Sequence, residues 1–351
     1  MVDPMRVNKM KAYTLPTGYL FVDDYAKGPL ETLSIGDYGK PFNVKADFLG
    51  YGRDLNGVPN TECMPLSEKW VVTVSTQYGC PMRCTFCDVP NVPFRGNVSA
   101  QDLRRQLYSA IGLFPTVHYT ERLNLHFARM GDPIFNAHVF EFARWMIENK
   151  RTIARDTGLR IETLHPVLTT SLPRKFGSLK RRILEWCDIK NDLYNGQAGL
   201  QFSINSTDED QRSQMFGDQQ LSLEELSQIA DEMPEPVSRK YCLNFAYSTD
   251  FVIDAQKVWR LFNPDKFMCK ITPIHNNNAC RENSIQTIGG YESFHPYAKP
   301  ESDLKAAGFD VLVFVPSIDE EEGLVTCGNA ILGGSTLKTN PDRIKIAGLA
   351  A

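Results

Sequence analysis

The sequence predicts an α/β protein built on an open partial barrel of six parallel strands, and two observations lead to this prediction. The chain has 351 residues, which allows two domains of roughly 150 residues or one barrel with extensions. From Trp70 onward, short apolar runs alternate with segments of helical periodicity, which indicates parallel βαβ units. Six units are too few for the usual eight-stranded barrel, so we expect the barrel to stay open.

Each predicted strand is followed by a segment of helical character. The strands are predicted at 70–75, 123–127, 161–168, 200–204, 241–246 and 268–271. The helices are predicted at 100–114, 137–149, 174–186, within 208–233, at 254–262 and at 301–307. Ligands of such folds bind at the carboxyl ends of the strands, so the loops that follow the strands are expected to carry the functional side chains.

Two extensions flank the barrel, which we assign to residues 67–285. Residues 1–66 are rich in Gly, Pro, Tyr and Asp and contain strand-like runs at 30–35 and 42–47, which predicts a small β-rich N-terminal extension. Residues 286–351 are predicted to form a C-terminal extension that contains one more strand, at 311–315, and a Gly-rich segment around Cys327.

Composition and charge exclude several classes of protein. The net charge is −4 and 42% of the residues are hydrophobic, which indicates a folded globular chain rather than a disordered or fibrous one. No apolar run reaches the roughly 18 residues that cross a bilayer, and the first residues lack the apolar core of a signal peptide, so we expect a cytoplasmic protein without a membrane partner. The slight acidity argues against an extended nucleic-acid-binding surface.

Three of the nine cysteines fall within eight residues, in the loop after the first barrel strand. Cys80, Cys84 and Cys87 have the spacing C-x₃-C-x₂-C, which suits three ligands of a [4Fe–4S] cluster with one iron left open. The alternatives are a zinc site and three ordinary buried cysteines. Zinc normally has four N or S ligands, and the ten residues after Cys87 contain neither Cys nor His.

This motif, with Phe86 directly before the last cysteine, resembles that of the radical S-adenosylmethionine (SAM) superfamily. The resemblance implies that a [4Fe–4S] cluster and SAM are the cofactors, and that the amino and carboxylate groups of SAM chelate the open iron. It further implies reductive cleavage of SAM to methionine and a 5′-deoxyadenosyl radical. A reducing partner such as flavodoxin or ferredoxin would supply the electron.

Polar residues after the later strands match further segments of this superfamily. Gly131 and Asp132, which precede a proline, resemble its Gly-Glu-Pro segment, and this implies contact with the SAM ammonium. Ser171, Ser203 and Asn205 lie at the ends of two further strands and suit a ribose or a methionine carboxylate. Taken singly, each of these residues is also an ordinary turn or strand-end cap.

The order and spacing of these segments, from about Glu62 to Gly334, resemble the RlmN/Cfr family, which methylates adenosine at C2 or C8 in RNA. Asn277 matches an asparagine that this family uses against SAM. Cys327 resembles the cysteine that carries the methyl group to an sp² carbon, and Glu62 resembles a glutamate that handles substrate protons. The alternative for Cys327 is a small buried side chain.

Three departures from the family bear on the function. The family has a second cysteine seven residues before the triad, which releases the methylated product. This chain has Thr73 there, whose hydroxyl is too basic to replace a thiolate. Arg129 replaces a family glycine close to the SAM site, and the β-rich extension replaces the family's N-terminal helical RNA-binding domain.

The sequence therefore predicts a radical SAM enzyme with RlmN/Cfr-like methyl transfer through Cys327 to a purine-like or nucleic-acid substrate. A rival interpretation keeps the SAM chemistry but abstracts hydrogen from a small molecule or nucleotide, with Cys327 as hydrogen donor or radical relay. Thr73 favours the rival, whereas Glu62 and Cys327 favour methyl transfer. A nucleic-acid-binding module with a structural iron–sulfur or zinc staple is disfavoured by the open three-cysteine motif.

Overall fold

The structure is a computed structural model that describes residues 10–37, 64–291, 293–316, 318–325, 328 and 330–338. Its strands are β1 (Lys11–Leu15), β2 (Gly18–Tyr25), β3 (Gly28–Gly36), β4 (Lys69–Val74), β5 (Gln77–Tyr78), β6 (Gly96–Asn97), β7 (Tyr119–Phe127), β8 (Arg160–Thr170), β9 (Gly199–Ser203), β10 (Tyr241–Tyr247), β11 (Phe267–Pro273) and β12 (Val311–Val313). Its helices are α1 (Ala100–Gly112), α2 (Ala137–Glu148), α3 (Lys150–Thr157), α4 (Leu179–Asp188), α5 (Glu209–Phe216), α6 (Leu223–Glu232), α7 (Ala255–Leu261), α8 (Asn278–Glu282), α9 (His295–Ala306) and α10 (Ile318–Glu322).

Ten strands form one sheet in the order β1-β2-β3-β4-β7-β8-β9-β10-β11-β12. In this order, each strand from β4 to β12 is parallel to the next one, and the six predicted barrel strands are all among them. β5 and β6 form a separate antiparallel pair. The predicted α/β class with a central parallel sheet is therefore confirmed. The strand predicted at 311–315 is β12, which pairs Leu312 with Lys270 of β11 and so adds a seventh parallel strand.

The N-terminal strands continue the same sheet. β1, β2 and β3 pair antiparallel in succession, and β3 pairs antiparallel with β4, with Leu33 opposite Thr73. Gly18 begins β2 with a φ of +145°, and a Cβ there would lie 2.3 Å from the carbonyl oxygen of Ser34, so only glycine fits this position. The strand-like run predicted at 42–47 lies outside the described residues.

Helix boundaries follow capping residues and turns in the sequence. The Ser99 side chain accepts a hydrogen bond from the Asp102 amide at the start of α1, and Ser222 and Glu225 form a capping box at the start of α6. α4 begins at Leu179, five residues later than predicted, because the residues from Arg174 to Ser178 form turns instead of a first helical turn. The first and last residues of a helix depend on such local hydrogen bonds, so helix boundaries are harder to predict than the helices themselves.

The main hydrophobic core lies between the sheet and its helices. Trp186 of α4 packs edge-on against Phe127 of β7 and Phe140 of α2, with ring centroids 6.0 and 5.7 Å apart. Such aromatic pairs contribute about 0.5–1.5 kcal/mol beyond the burial of their area. Within the described residues, no helix is long and apolar enough to cross a membrane.

Candidate functional site

A cavity of about 440 Å³ extends along the inner face of the parallel strands. A cavity of this size is within the usual range for one small-molecule or cofactor site. Eight of the site residues predicted from the sequence line it: Cys80, Cys84, Cys87, Gly131, Asp132, Ser171, Ser203 and Asn205. The fold therefore brings together residues that are up to 125 positions apart in the chain.

The cysteine loop is held in place from several directions. The Asp88 carboxylate accepts a hydrogen bond from the Ala279 amide at 2.9 Å and another from the Ser335 hydroxyl. The Asp88 amide donates to the Gly328 carbonyl oxygen at 2.8 Å, and the Thr85 amide donates to Met215. The loop is thus fixed between α8, the end of α5 and the segment that contains Cys327.

The chemistry of the three thiols fits an iron–sulfur cluster. Burial raises the pKa of Cys80 to about 12 and that of Cys84 well above its ordinary value. A cationic metal centre reverses this effect, because it stabilises the thiolate directly. Across the described ranges, no three Cys, His or carboxylate side chains are grouped to hold a single metal ion.

Asp132 is the best-satisfied polar group of the cavity. Its carboxylate accepts hydrogen bonds from the Ser171 amide at 2.7 Å, the Ser171 hydroxyl at 2.6 Å, the Thr170 hydroxyl at 3.1 Å and the Ile134 amide at 3.0 Å. Burial nevertheless raises its pKa. Three of these donors reach Oδ2 and one reaches Oδ1, so Oδ1 keeps one acceptor position for a ligand ammonium. We call Asp132, Thr170 and Ser171 the first wall of the cavity.

The opposite side is less completely paired. The Nδ2 atom of Asn205 and the Oδ1 atom of Asn244 are buried and have no hydrogen-bond partner among the described residues. Both side chains line the cavity, as does Lys270. A buried polar atom without a partner is costly, so a rotation of either side chain toward a polar group of a ligand would relieve that cost. We call Ser203, Asn205, Asn244 and Lys270 the second wall.

Arg129 forms a buried ion pair with Glu31 of β3. Its Nη2 lies 2.7 Å from Glu31 Oε2, and both side chains are at most 1% exposed. Arg129 Nη1 donates to the Leu324 carbonyl oxygen at 2.7 Å, and the Leu332 amide donates to Glu31 Oε1 at 2.6 Å. The pair therefore fixes the chain on both sides of Cys327, and Leu324 also packs on apolar residues of the N-terminal strands.

A histidine and a glutamate meet at the end of β11. The Nδ1 atom of His275 lies 2.6 Å from Glu321 Oε2 and 2.6 Å from the Tyr291 hydroxyl. Burial alone would raise the pKa of Glu321, but His275 and hydrogen bonds from Asn276 and Tyr291 lower it overall. His275 lines the cavity, and a histidine oriented by a carboxylate can transfer protons at its other nitrogen.

The remaining predicted site residues are not among the described residues that line the cavity. The Asn277 side chain donates to the carbonyl oxygens of Phe86 and Gly328, at 2.9 and 3.2 Å, and so joins the cysteine loop to the C-terminal segment. Glu62 and Cys327 lie outside the described residues, whereas Gly328, next to Cys327, lines the cavity.

Thr73 lines the cavity too, so the position of the family's releasing cysteine faces the site. Sequence reasoning missed Glu31, Asn244, Lys270 and the pair of His275 with Glu321. A signal existed for two of them, because Asn244 and Lys270 interrupt otherwise apolar strands.

Comparison with known proteins agrees with this geometry. No family model matches the chain. A protein of Chlorobium phaeobacteroides named probable dual-specificity RNA methyltransferase RlmN is 26% identical over 235 residues, which cover 64% of this chain and 58% of the relative. One of Pseudothermotoga lettingae with the same name is 24% identical over 208 residues, which cover 58% of this chain and 54% of the relative.

The chain is therefore similar to proteins named RlmN RNA methyltransferases over 58–64% of its length. The match spans less than two thirds of the length of these relatives. A solved structure of a radical SAM methyltransferase from Sphaerobacter thermophilus superposes on it with a TM-score of 0.56, over 93% of this chain and 78% of that one. At 16% identity this likeness shows the fold alone.

Proposed function

We propose that this protein is a radical SAM enzyme that holds a [4Fe–4S] cluster on Cys80, Cys84 and Cys87 and cleaves SAM reductively. The observation that carries the proposal is the shared cavity, which all three cysteines line together with Gly131 and Asp132. When bound, a reduced cluster of this kind supplies the electron for SAM cleavage. Flavodoxin or ferredoxin would be a suitable reducing partner.

The chain's own residues would bind and orient the cofactor. Gly131 has a φ of +85°, and a Cβ there would lie 2.4 Å from the Gln77 side chain, so glycine lets the loop approach β5 closely. Gln77 in turn accepts a hydrogen bond from the Asp132 amide at 3.0 Å. Ser171, Ser203 and the free Nδ2 of Asn205 would then supply hydrogen bonds to hydroxyl or carboxylate groups of SAM.

The finer proposal is methyl transfer through Cys327 to an sp² carbon of a purine-like or nucleic-acid substrate. It is supported by the relatives named RNA methyltransferases and by Gly328, the neighbour of Cys327, which lines the cavity. Glu62 or His275 would accept the substrate proton, and His275 has its Nδ1 held by Glu321 for that task.

The second candidate function is hydrogen abstraction from a small molecule or nucleotide without methyl transfer. The observation that favours it is Thr73, which lines the cavity where the family has its releasing cysteine. A threonine hydroxyl cannot act as the thiolate that this release requires.

The cluster is tested by replacing one ligand. Cys84→Ala should lose the iron of anaerobically reconstituted protein and abolish 5′-deoxyadenosine formation from SAM, because a cube held by two cysteines has lost a ligand it needs. Cys187→Ala, a buried cysteine of α4, is the control and should keep both. Iron in Cys84→Ala at the level of the control would contradict the ligand assignment.

The methyl carrier is tested by mass spectrometry of Cys327 in protein expressed with SAM. We expect an added methyl group on Cys327 and none on the buried Cys187. Unmodified Cys327 in protein that still cleaves SAM would support hydrogen abstraction instead. Thr73→Cys should increase turnover if product release through a cysteine limits the methyl transfer.

A further inference from the structure

Lys270 lies on the inner face of β11 with an unusual set of neighbours. The contact described for its ammonium is with the ring of Phe314, whose centroid is 5.5 Å away, and none of the described carboxylates pairs with it. Both residues line the cavity. Lys270 is partly exposed, so a ligand that fills the cavity and removes water from its ammonium would have to bring an anionic group to offset the cost.

The other charged side chains that line the cavity form ion pairs, hydrogen bonds or other contacts within the protein. Lys69 pairs with Asp37, Arg129 pairs with Glu31, and Glu320 also has an interaction. Asp132 accepts hydrogen bonds from four donors. Among the described lining residues, Lys270 is therefore the charged side chain for which no described residue supplies an opposite charge or a hydrogen bond.

Lys270 lies in a row of polar residues that crosses three neighbouring strands. Asn244 of β10 pairs with Lys270 of β11 on one side and with Ser203 of β9 on the other. Neighbouring strands are about 4.8 Å apart, so the Cα atom of Lys270 lies about 10 Å from that of Ser203. Asn244, between them, has an Oδ1 atom to which no described residue donates a hydrogen bond.

Lys270 also lies away from the cysteine loop. It precedes Ile274 by four residues, and Ile274 packs in the cluster that Cys84 and Phe86 contact. Four residues of a strand span about 13 Å. A ligand group bound at Lys270 therefore lies too far from the cysteine loop to contact the cysteines at the same time.

The electrostatics agree with this geometry. Burial first, and then the positive charges of Lys270, Lys69 and Arg239, lower the pKa of the cavity-lining His126 to about 3, while Asp37 acts in the opposite direction. His126 is therefore neutral at physiological pH and does not compete with Lys270 for an anion.

We propose that Lys270 and Asn244 bind the substrate through an anionic group, a carboxylate or a phosphate, that has an O–H or N–H donor next to it. The anion pairs with the Lys270 ammonium, which suits phosphate and carboxylate as a point charge. The neighbouring donor satisfies Asn244 Oδ1. This inference rests on the proposed function, because it assigns part of the substrate of that enzyme.

The test is anion binding by the holoprotein with SAM present, measured as thermal stabilisation by inorganic phosphate or by acetate against chloride at equal ionic strength. We expect one of the two anions to stabilise the wild type with a dissociation constant that Lys270→Met weakens at least 10-fold. Lys270→Arg should retain most of the response. Lys175→Met removes an exposed lysine outside the cavity and should respond like the wild type.

Asn244→Leu provides a second variant should Lys270→Met not fold, and it should weaken the same response. A wild type that responds to neither anion would overturn the inference, and so would a Lys270→Met response equal to that of Lys175→Met. Iron content and SAM cleavage of the same wild-type sample test the proposed function separately. If iron binding or SAM cleavage is absent, the proposed function fails, whereas the measured anion binding at Lys270 is still a valid result.

Discussion

Asp132, on the first wall of the cavity, accepts four hydrogen bonds from the chain itself, whereas Asn205 and Asn244, on the second wall, each leave a buried polar atom without a partner among the described residues. The first wall is already organised before any ligand binds. The second wall has polar groups that a ligand would satisfy, and it contains Lys270, with which none of the described carboxylates pairs. The difference suggests that the first wall provides rigidity and the second wall provides recognition.

The buried pair next to the first wall gives the largest expected change in stability. Arg129→Met leaves Glu31 as an uncompensated buried charge and should lower the free energy of unfolding by about 3–5 kcal/mol. Urea denaturation measures this value.

Glu31→Leu combined with Arg129→Met serves as the control for that loss. The double variant should recover much of the stability, since apolar residues often replace a buried pair at little cost. If Arg129→Met alone is as stable as the wild type, the pair does not organise this side of the cavity. Limited proteolysis near Cys327 should also increase in Arg129→Met, because the pair holds Leu324 and Leu332.

The two walls can be compared directly with one substitution in each. Asp132→Asn puts an amide N–H₂ where donors now point and should destabilise the ligand-free protein by about 1–3 kcal/mol. Asn244→Leu removes an acceptor that has no partner and should leave stability unchanged or slightly higher. Chemical denaturation of both variants provides the measurement. Equal losses in the two variants would remove the distinction between the walls.

The pH dependence of stability gives the smallest of these effects. The pKa of His126 falls from 6.5 to about 3 on folding, so the unfolded chain binds more protons below pH 6.5 and stability falls as the pH falls. The largest slope that one group gives is about 1.4 kcal/mol per pH unit.

His126→Gln should therefore flatten the decrease in stability between pH 7.5 and 5.5, while the stability at pH 7.5 itself changes less. Denaturation curves of the wild type and the variant, both without cluster, give the difference at each pH. Parallel curves would show that His126 is not kept neutral in the folded protein.

The comparison of the walls also shows how far the sequence could predict the site. The first wall and the cysteine loop were predicted, because Cys80, Cys84, Cys87 and Asp132 belong to short motifs at the ends of recognisable strands. Of the second wall, Ser203 and Asn205 were predicted from the end of β9. Asn244 and Lys270 were not, since they lie within strands and single polar residues there have no motif to identify them.

The N-terminal strands show the same limit in the fold. The sequence predicts a β-rich extension, but nothing in it predicts that β3 joins the barrel sheet beside β4. It also does not predict that Glu31 reaches Arg129, 98 residues later in the chain.

The sequence by itself determined the α/β class, the six barrel strands, the three cysteines and the Gly131-Asp132 turn, because hydrophobic periodicity and local spacing act over a few residues. Only the tertiary structure decided which polar groups pair with one another. It paired Arg129 with Glu31 and gave Asp132 four donors, and among the described residues it left Lys270 without a carboxylate and Asn244 Oδ1 without a donor. These outcomes depend on strand register and on side chains far apart in the chain, which are fixed only when the whole sheet has formed.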